Sequence, residues 1–125
     1  MKSELGEKAK RTLGRWLPGM RSMGHMGAGR VIKVVKSGNY YVVKEVREVD
    51  GFRRAELHTP DVDDDATLGC LLGAAKTLSG DPTVSVWYVS GYGWAWRVGM
   101  YQGEFQPEYK DAVVCALERA RLNHV

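Results

Sequence analysis

The stretch from Val42 to Leu78 constrains this chain most. Two strand-like runs meet at Asp50-Gly51, and the second leads through Pro60 and the acidic knot Asp61-Val62-Asp63-Asp64-Asp65 into a helix pattern of Leu68, Leu71, Leu72, Ala75 and Leu78. Asp-Gly between apolar and β-branched residues predicts a two-residue type I′ turn, which needs positive φ at both centres. With that loop, Val46 faces Ala55 and Lys44 faces Leu57. Alternation then gathers Val42, Val46, Ala55 and Leu57 on a core face and Glu45, Arg47, Arg54 and Glu56 on a charged one. The clustered Asp side chains stand where first-turn amides lack partners and the helix dipole favours negative charge, each contributing roughly 0.5–1 kcal/mol. Gly80 supplies the stop. Gly69 and Gly73 weaken the helix, and residues so small predict its close approach to a sheet.

Before this stretch, Leu5, Ala9, Leu13 and Trp16 line one side of a short amphipathic helix over residues 2 to 17, whose outer side carries Lys8, Lys10, Arg11 and Arg15. Pro18-Gly19 ends it. Residues 18–30, rich in Gly and Met without period, predict a flexible connection. That run precedes a strand and lacks the Gly-Lys-Ser/Thr ending, so it is no phosphate loop. Val31 to Lys36 and Tyr40 to Val49 are strands, and with the run after Gly51 they make a three-stranded meander to His58. Thr83 to Tyr101 alternates as a second hairpin about Gly91-Tyr92-Gly93. Pro107 then opens a helix with the buried stripe Ala112, Val113, Ala116, Leu117 and Ala120. The expected architecture is a single α+β domain over residues 1–125, ordered α-βββ-α-ββ-α, with helices on one mostly antiparallel sheet of about five strands.

A length of 125 residues suits one domain. No apolar run approaches the roughly 20 residues of a membrane helix, and the first residues lack the apolar run of a secretory signal, so a cytoplasmic protein with no membrane association is expected. Cys70 and Cys115 fall in apolar helix patterns and are expected to be buried free thiols. The net charge of +3 hides an asymmetry. Through Arg54 there are thirteen Lys and Arg against five Asp and Glu, and beyond it five against ten. Such polarity suits nucleic acid at one end and a cationic partner at the other, or mutual neutralisation across the fold.

No motif for catalysis or metal binding survives inspection. Asp61, Asp63 and Asp65 match the start of a calcium loop, but Ala66 replaces its glycine and Leu72 its closing glutamate. The knot is therefore a helix cap or an acidic patch for a cationic partner. His25, His58 and His124 lack ligands at metal spacing, and no serine sits in a Gly-x-Ser-x-Gly elbow. His58 near Glu56 and Asp61 is the single compact acid–base grouping, and a structural histidine is the simpler account. No catalytic residue, cofactor or metal is expected. Trp87, Tyr88, Tyr92, Trp94 and Trp96 are core, protein-interface anchors or stacking platforms for bases, and alternation leaves open which Trp faces outward.

The succession Gly51-Phe52-Arg53-Arg54-Ala55-Glu56-Leu57, Thr59-Pro60-Asp61 with Asp63-Asp64-Asp65, then Leu68-Gly69 and Leu71-Leu72-Gly73-Ala74-Ala75-Lys76-Thr77-Leu78-Ser79 resembles the immunity proteins of bacterial contact-dependent growth inhibition, in which a strand, an acidic turn and a Leu/Ala helix recur. The resemblance covers about 30 residues. It implies a non-enzymatic inhibitor that binds one cognate toxin domain, often a nuclease, and blocks its active site or substrate groove. The expected contacts are Glu45, Glu56, Asp61, Asp63, Asp64, Asp65, Tyr92, Trp94 and Trp96. The rival reading is a small nucleic-acid-binding module using Lys8, Lys10, Arg11, Arg15 and Arg30.

Overall fold

The computed structural model of the protein describes residues 4–24, 27–37, 40–47, 59–80 and 83–123, with backbone alone at 27, 35–37 and 40–47. The chain runs α1 (Glu4–Leu13), β1 (Arg21–Gly24), β2 (Gly27–Ser37), β3 (Tyr40–Arg47), β4 (Thr59–Pro60), α2 (Asp65–Ser79), β5 (Ser85–Val89), β6 (Gly93–Val98), β7 (Tyr101–Gln102) and α3 (Tyr109–Asn123). It is an α+β fold with antiparallel pairing. The strands divide between two sheets, ordered β3-β2-β1-β4 and β5-β6-β7, where one sheet of about five was expected. Contacts gather the chain into two compact units, Met1–Cys70 and Leu71–Val125, with the boundary inside α2.

In the first unit, α1 buries Ala9 and Leu13 and makes its contacts with β4. It stops at Gly14, whose φ of 73° is open to glycine, and Trp16 is buried just beyond. The expected flexible connection over 18–30 carries two paired strands in its described residues, 18–24 and 27–30. β1 pairs through Arg21↔Arg30, Ser22↔Gly29, Met23↔Ala28 and Gly24↔Gly27 with β2, and through Ser22↔Pro60 and Met23↔Thr59 with β4. Being paired on both edges, β1 needs little intrinsic strand preference, and Met20 and Ser22 anchor it at 0% exposure. Pro60 fits because β4 is an edge strand. β2 and β3 run from Gly29↔Arg47 to Ser37↔Tyr40 with a register shift between Val31 and Lys33. The extra residue is Ile32, turned outward beside a buried Val31. The Asp50-Gly51 turn, the last strand of the expected meander, and Glu56, His25, His58 and His124 lie outside the described residues.

In the second unit the expected hairpin forms, with Ser85↔Arg97, Val86↔Trp96, Trp87↔Ala95, Tyr88↔Trp94 and Val89↔Gly93 in register. The turn closes with the Tyr92 N–H donating to the Val89 carbonyl at 3.0 Å. At Gly99 and Met100 the chain turns again into β7, which pairs through Arg97↔Gln102 and Val98↔Tyr101. The pairing then breaks for residues 103–105 and resumes where Gln106 exchanges two 2.8 Å backbone bonds with Trp94. α3 packs on β5 and β6, with Ala112, Val113, Ala116, Leu117 and Ala120 buried as their spacing requires. Gly80 ends α2 with a φ of 69°. The expected close approach at Gly69 and Gly73 is absent: both are exposed, and a Cβ at either would meet nothing within 4 Å. Among the described residues no helix is long and apolar enough to cross a membrane.

Candidate functional site

Two clusters concentrate the chemistry that the sequence singled out, one in each unit. In the first, register sets Arg21 and Arg30 directly opposite each other on β1 and β2. Like charges so placed repel unless neutralised. The acidic knot supplies the neutralisation. Arg21 Nη1 donates to Asp61 Oδ2 at 2.5 Å, while Arg30 grips Asp64 with Nη1 at 2.6 Å and Nη2 at 3.0 Å, its Nη1 also reaching the Gly19 carbonyl at 2.9 Å. The two-pronged geometry is the strong form of a charge-assisted hydrogen bond.

Asp64 is also the cap of α2. Its carbonyl accepts from Leu68 N at 3.0 Å, and its Oδ2 accepts from the Thr67 amide at 3.0 Å and the Thr67 hydroxyl at 2.9 Å. Thr67, fully buried, in turn accepts from the Arg21 amide at 2.8 Å. Asp61 Oδ1 caps the turn by accepting from Asp63 N at 3.0 Å. The Arg30 bonds above all, helped by Thr67 and opposed by burial, bring the Asp64 carboxyl from 3.8 down to about 2. It stays ionised across the physiological range and is a poor proton donor. Burial first, then the Asp64 charge, pushes the neighbouring Cys70 thiol up, with Arg30 opposing, which makes it a weak nucleophile at neutral pH. Among the described residues no three His, Cys, Asp or Glu side chains converge to hold a metal ion.

The acidic cluster therefore corrects the expected contact surface. Asp61 is buried at 7% exposure and, like Asp64, is committed to an arginine within the fold; Asp63 and Asp65 are exposed. The 34- and 40-residue separations of these ion pairs leave no periodic trace in the sequence. Glu45 lies on β3 opposite Val31, in the strand described by backbone alone.

The second cluster is aromatic and belongs to the β5–β6–β7 sheet. Cross-strand neighbours Tyr88 and Trp94 meet edge to face with centroids 5.3 Å apart, and Trp94 meets Tyr109 in the same way at 5.1 Å. Tyr92, at the hairpin tip, lies against Phe105 at 5.3 Å. Tyr92 is 71% and Tyr88 60% exposed, and Phe105 is also exposed. Trp96 departs from the expectation. It shares the Tyr88 and Trp94 face but is buried, because the segment after β7 folds over it: its Nε1 donates to the Glu104 carbonyl at 3.1 Å, and Gly103 sits so close that an added Cβ would fall 1.9 Å from the ring. Tyr101 meets Trp96 at 5.6 Å and carries the Arg119 guanidinium 3.8 Å above its ring. Of the rings outside the expected contact set, Tyr88 belongs to the aromatic run the sequence singled out, and alternation puts it beside Trp94. Phe105 and Tyr109 gave no such signal, because a broken pairing brings in one and the start of α3 the other.

The basic residues of the rival reading separate. Lys8, Arg11 and Arg15 are exposed, and Lys10, Arg11 and Arg15 line a groove of about 410 Å³ with Glu7, Gly14 and Trp16, whereas Arg30 is bound to Asp64. No family model, curated protein or solved structure matches the chain.

Proposed function

We propose that the protein is a binding protein of immunity type that neutralises a cognate bacterial toxin domain, in keeping with a nuclease, by covering its active site or substrate groove. The observation that carries this reading is the set of exposed rings on one hairpin and the segment beside it, Tyr88 held by Trp94, and Tyr92 and Phe105 held by each other. Exposed aromatic residues are the commonest anchors of protein interfaces, and rings already fixed in place lose little freedom on binding. Asp63 and Asp65, the carboxylates of the knot that face outward, add the charge that would steer a cationic toxin. If the neighbouring upstream reading frame encodes a large secreted protein with a variable C-terminal domain, that domain is the partner to test. Co-expression is expected to yield a stable complex and to suppress toxicity. Replacing both Tyr92 and Phe105 by alanine should weaken it at least about 10-fold. Unchanged affinity in that variant would remove the ring cluster from the interface.

A second reading rests on the cationic groove at the end of α1. A nucleic-acid site there predicts affinity for short DNA or RNA that falls steeply with salt and drops when Arg11 and Arg15 are neutralised.

A further inference from the structure

The outer edge of β5 is the sheet boundary that nothing in the sequence protects. β5 ends the β5-β6-β7 order, and its principal neighbours are β6 on one side and α3. Every second residue of such a strand turns its N–H and C=O away from the sheet. Proteins blunt such edges with charge, proline or bulges, yet Thr83 to Ser90 contains neither a charged residue nor a proline, and the β5–β6 register is unbroken. Trp87 and Tyr88 on this strand are exposed.

We infer that the edge of β5 is a self-pairing surface whose partner is β5 of a second copy of this chain, joined antiparallel about Trp87. The sequence is complementary to itself in that arrangement. Ser85 falls opposite Val89, Val86 opposite Tyr88, and Trp87 opposite its own copy. Both Val86–Tyr88 pairs are the aromatic with β-branched combination that stabilises antiparallel strands, and no charge opposes a like charge. The product is one six-stranded sheet. Only five residues pair on each side, so the dimer is of the weak, small-interface kind. Trp87 lies on the opposite sheet face from Tyr88 and Trp94, so altering it leaves the ring cluster of the proposed toxin interface in place.

Sedimentation of the full chain over a concentration series tests this. Reversible dimerisation is expected, with Trp87→Lys weakening it at least about 10-fold by setting two ammonium groups opposite each other and Trp87→Phe retaining it; circular dichroism confirms that both variants fold. A Trp87→Cys variant adds a direct readout. Opposed Cα atoms in an antiparallel pair stand roughly 4.5–5.5 Å apart, within disulfide reach, so mild oxidation should join position 87 to itself. Arg97→Cys, one strand inward and opposite Ser85, should not cross-link. A chain that stays monomeric at high concentration, a dimer indifferent to Trp87→Lys, or cross-linking at 97 instead of 87 would each overturn the assignment. So would a monomer in which Trp87→Lys weakens only toxin binding, since the edge would then receive a foreign strand.

Discussion

The acidic turn of the first unit and the aromatic hairpin of the second use their conspicuous side chains in opposite ways. The turn directs charge inward, where Asp61 and Asp64 offset the two arginines that strand pairing sets face to face. The hairpin directs rings outward, holding Tyr88 and Tyr92 in ring contacts while leaving them open to solvent. A charge cluster in a sequence is thus no measure of a charged surface: two of the aspartates in this knot, Asp61 and Asp64, are tied to arginines of the fold. The rings, which sequence pattern alone would assign mainly to a core, supply the better candidate interface.

The sharpest way to break this contrast is Gly103→Ala. A methyl group there collides with the Trp96 ring, so the covering segment must lift, at a cost of about 3 kcal/mol or more. Hydrogen exchange should quicken across β6 and α3, and a thermal midpoint near that of the unaltered chain would mean the Trp96 cover is not rigid. Next in size is Asp64→Ala, which removes the α2 cap and leaves Arg30 without its carboxylate, a loss of about 2–3 kcal/mol. Faster exchange should appear in β1 and the first turn of α2. Acid sharpens the same point. Asp64 titrates lower in the fold, at about 2, than its ordinary 3.8, so its stabilisation is complete above that ordinary value and disappears as pH falls toward 2. Urea midpoints should therefore drop between about pH 4 and 2, and the Asp64→Ala chain should lack this share of the loss. The smallest effect has the opposite sign. Gly69→Ala and Gly73→Ala each place a methyl group in open space on a helix and should stabilise by about 0.5–1 kcal/mol, read as a rise in urea midpoint.

What the sequence revealed was local. The cap before Asp65, the stop at Gly80, the hairpin about Gly91 and Gly93, and the buried stripe of α3 each follow from a few neighbouring residues, and each is present. β1 was missed because Met20 to Gly24 has no strand-forming run, and only partners on both edges make it a strand. β7 was missed for a similar reason: two residues after the Gly99-Met100 turn give no period to read. The site followed the same rule. Alternation placed Trp94 and Trp96 on one face, but only the fold-back of Gly103 and Glu104, a contact between a strand and the loop beyond its neighbour, decides that one is exposed in part and the other covered.

Met20 and Met100 are the same residue under opposite conditions, one at 0% exposure in the first unit and the other fully exposed at the tip of the β6–β7 turn. Peroxide should convert the Met100 thioether to its sulfoxide at the pace of a free amino acid, whereas Met20 becomes reachable only while its surroundings part. The ratio of the two mass shifts in a digest would then act as an internal clock, timing how often the first unit breathes.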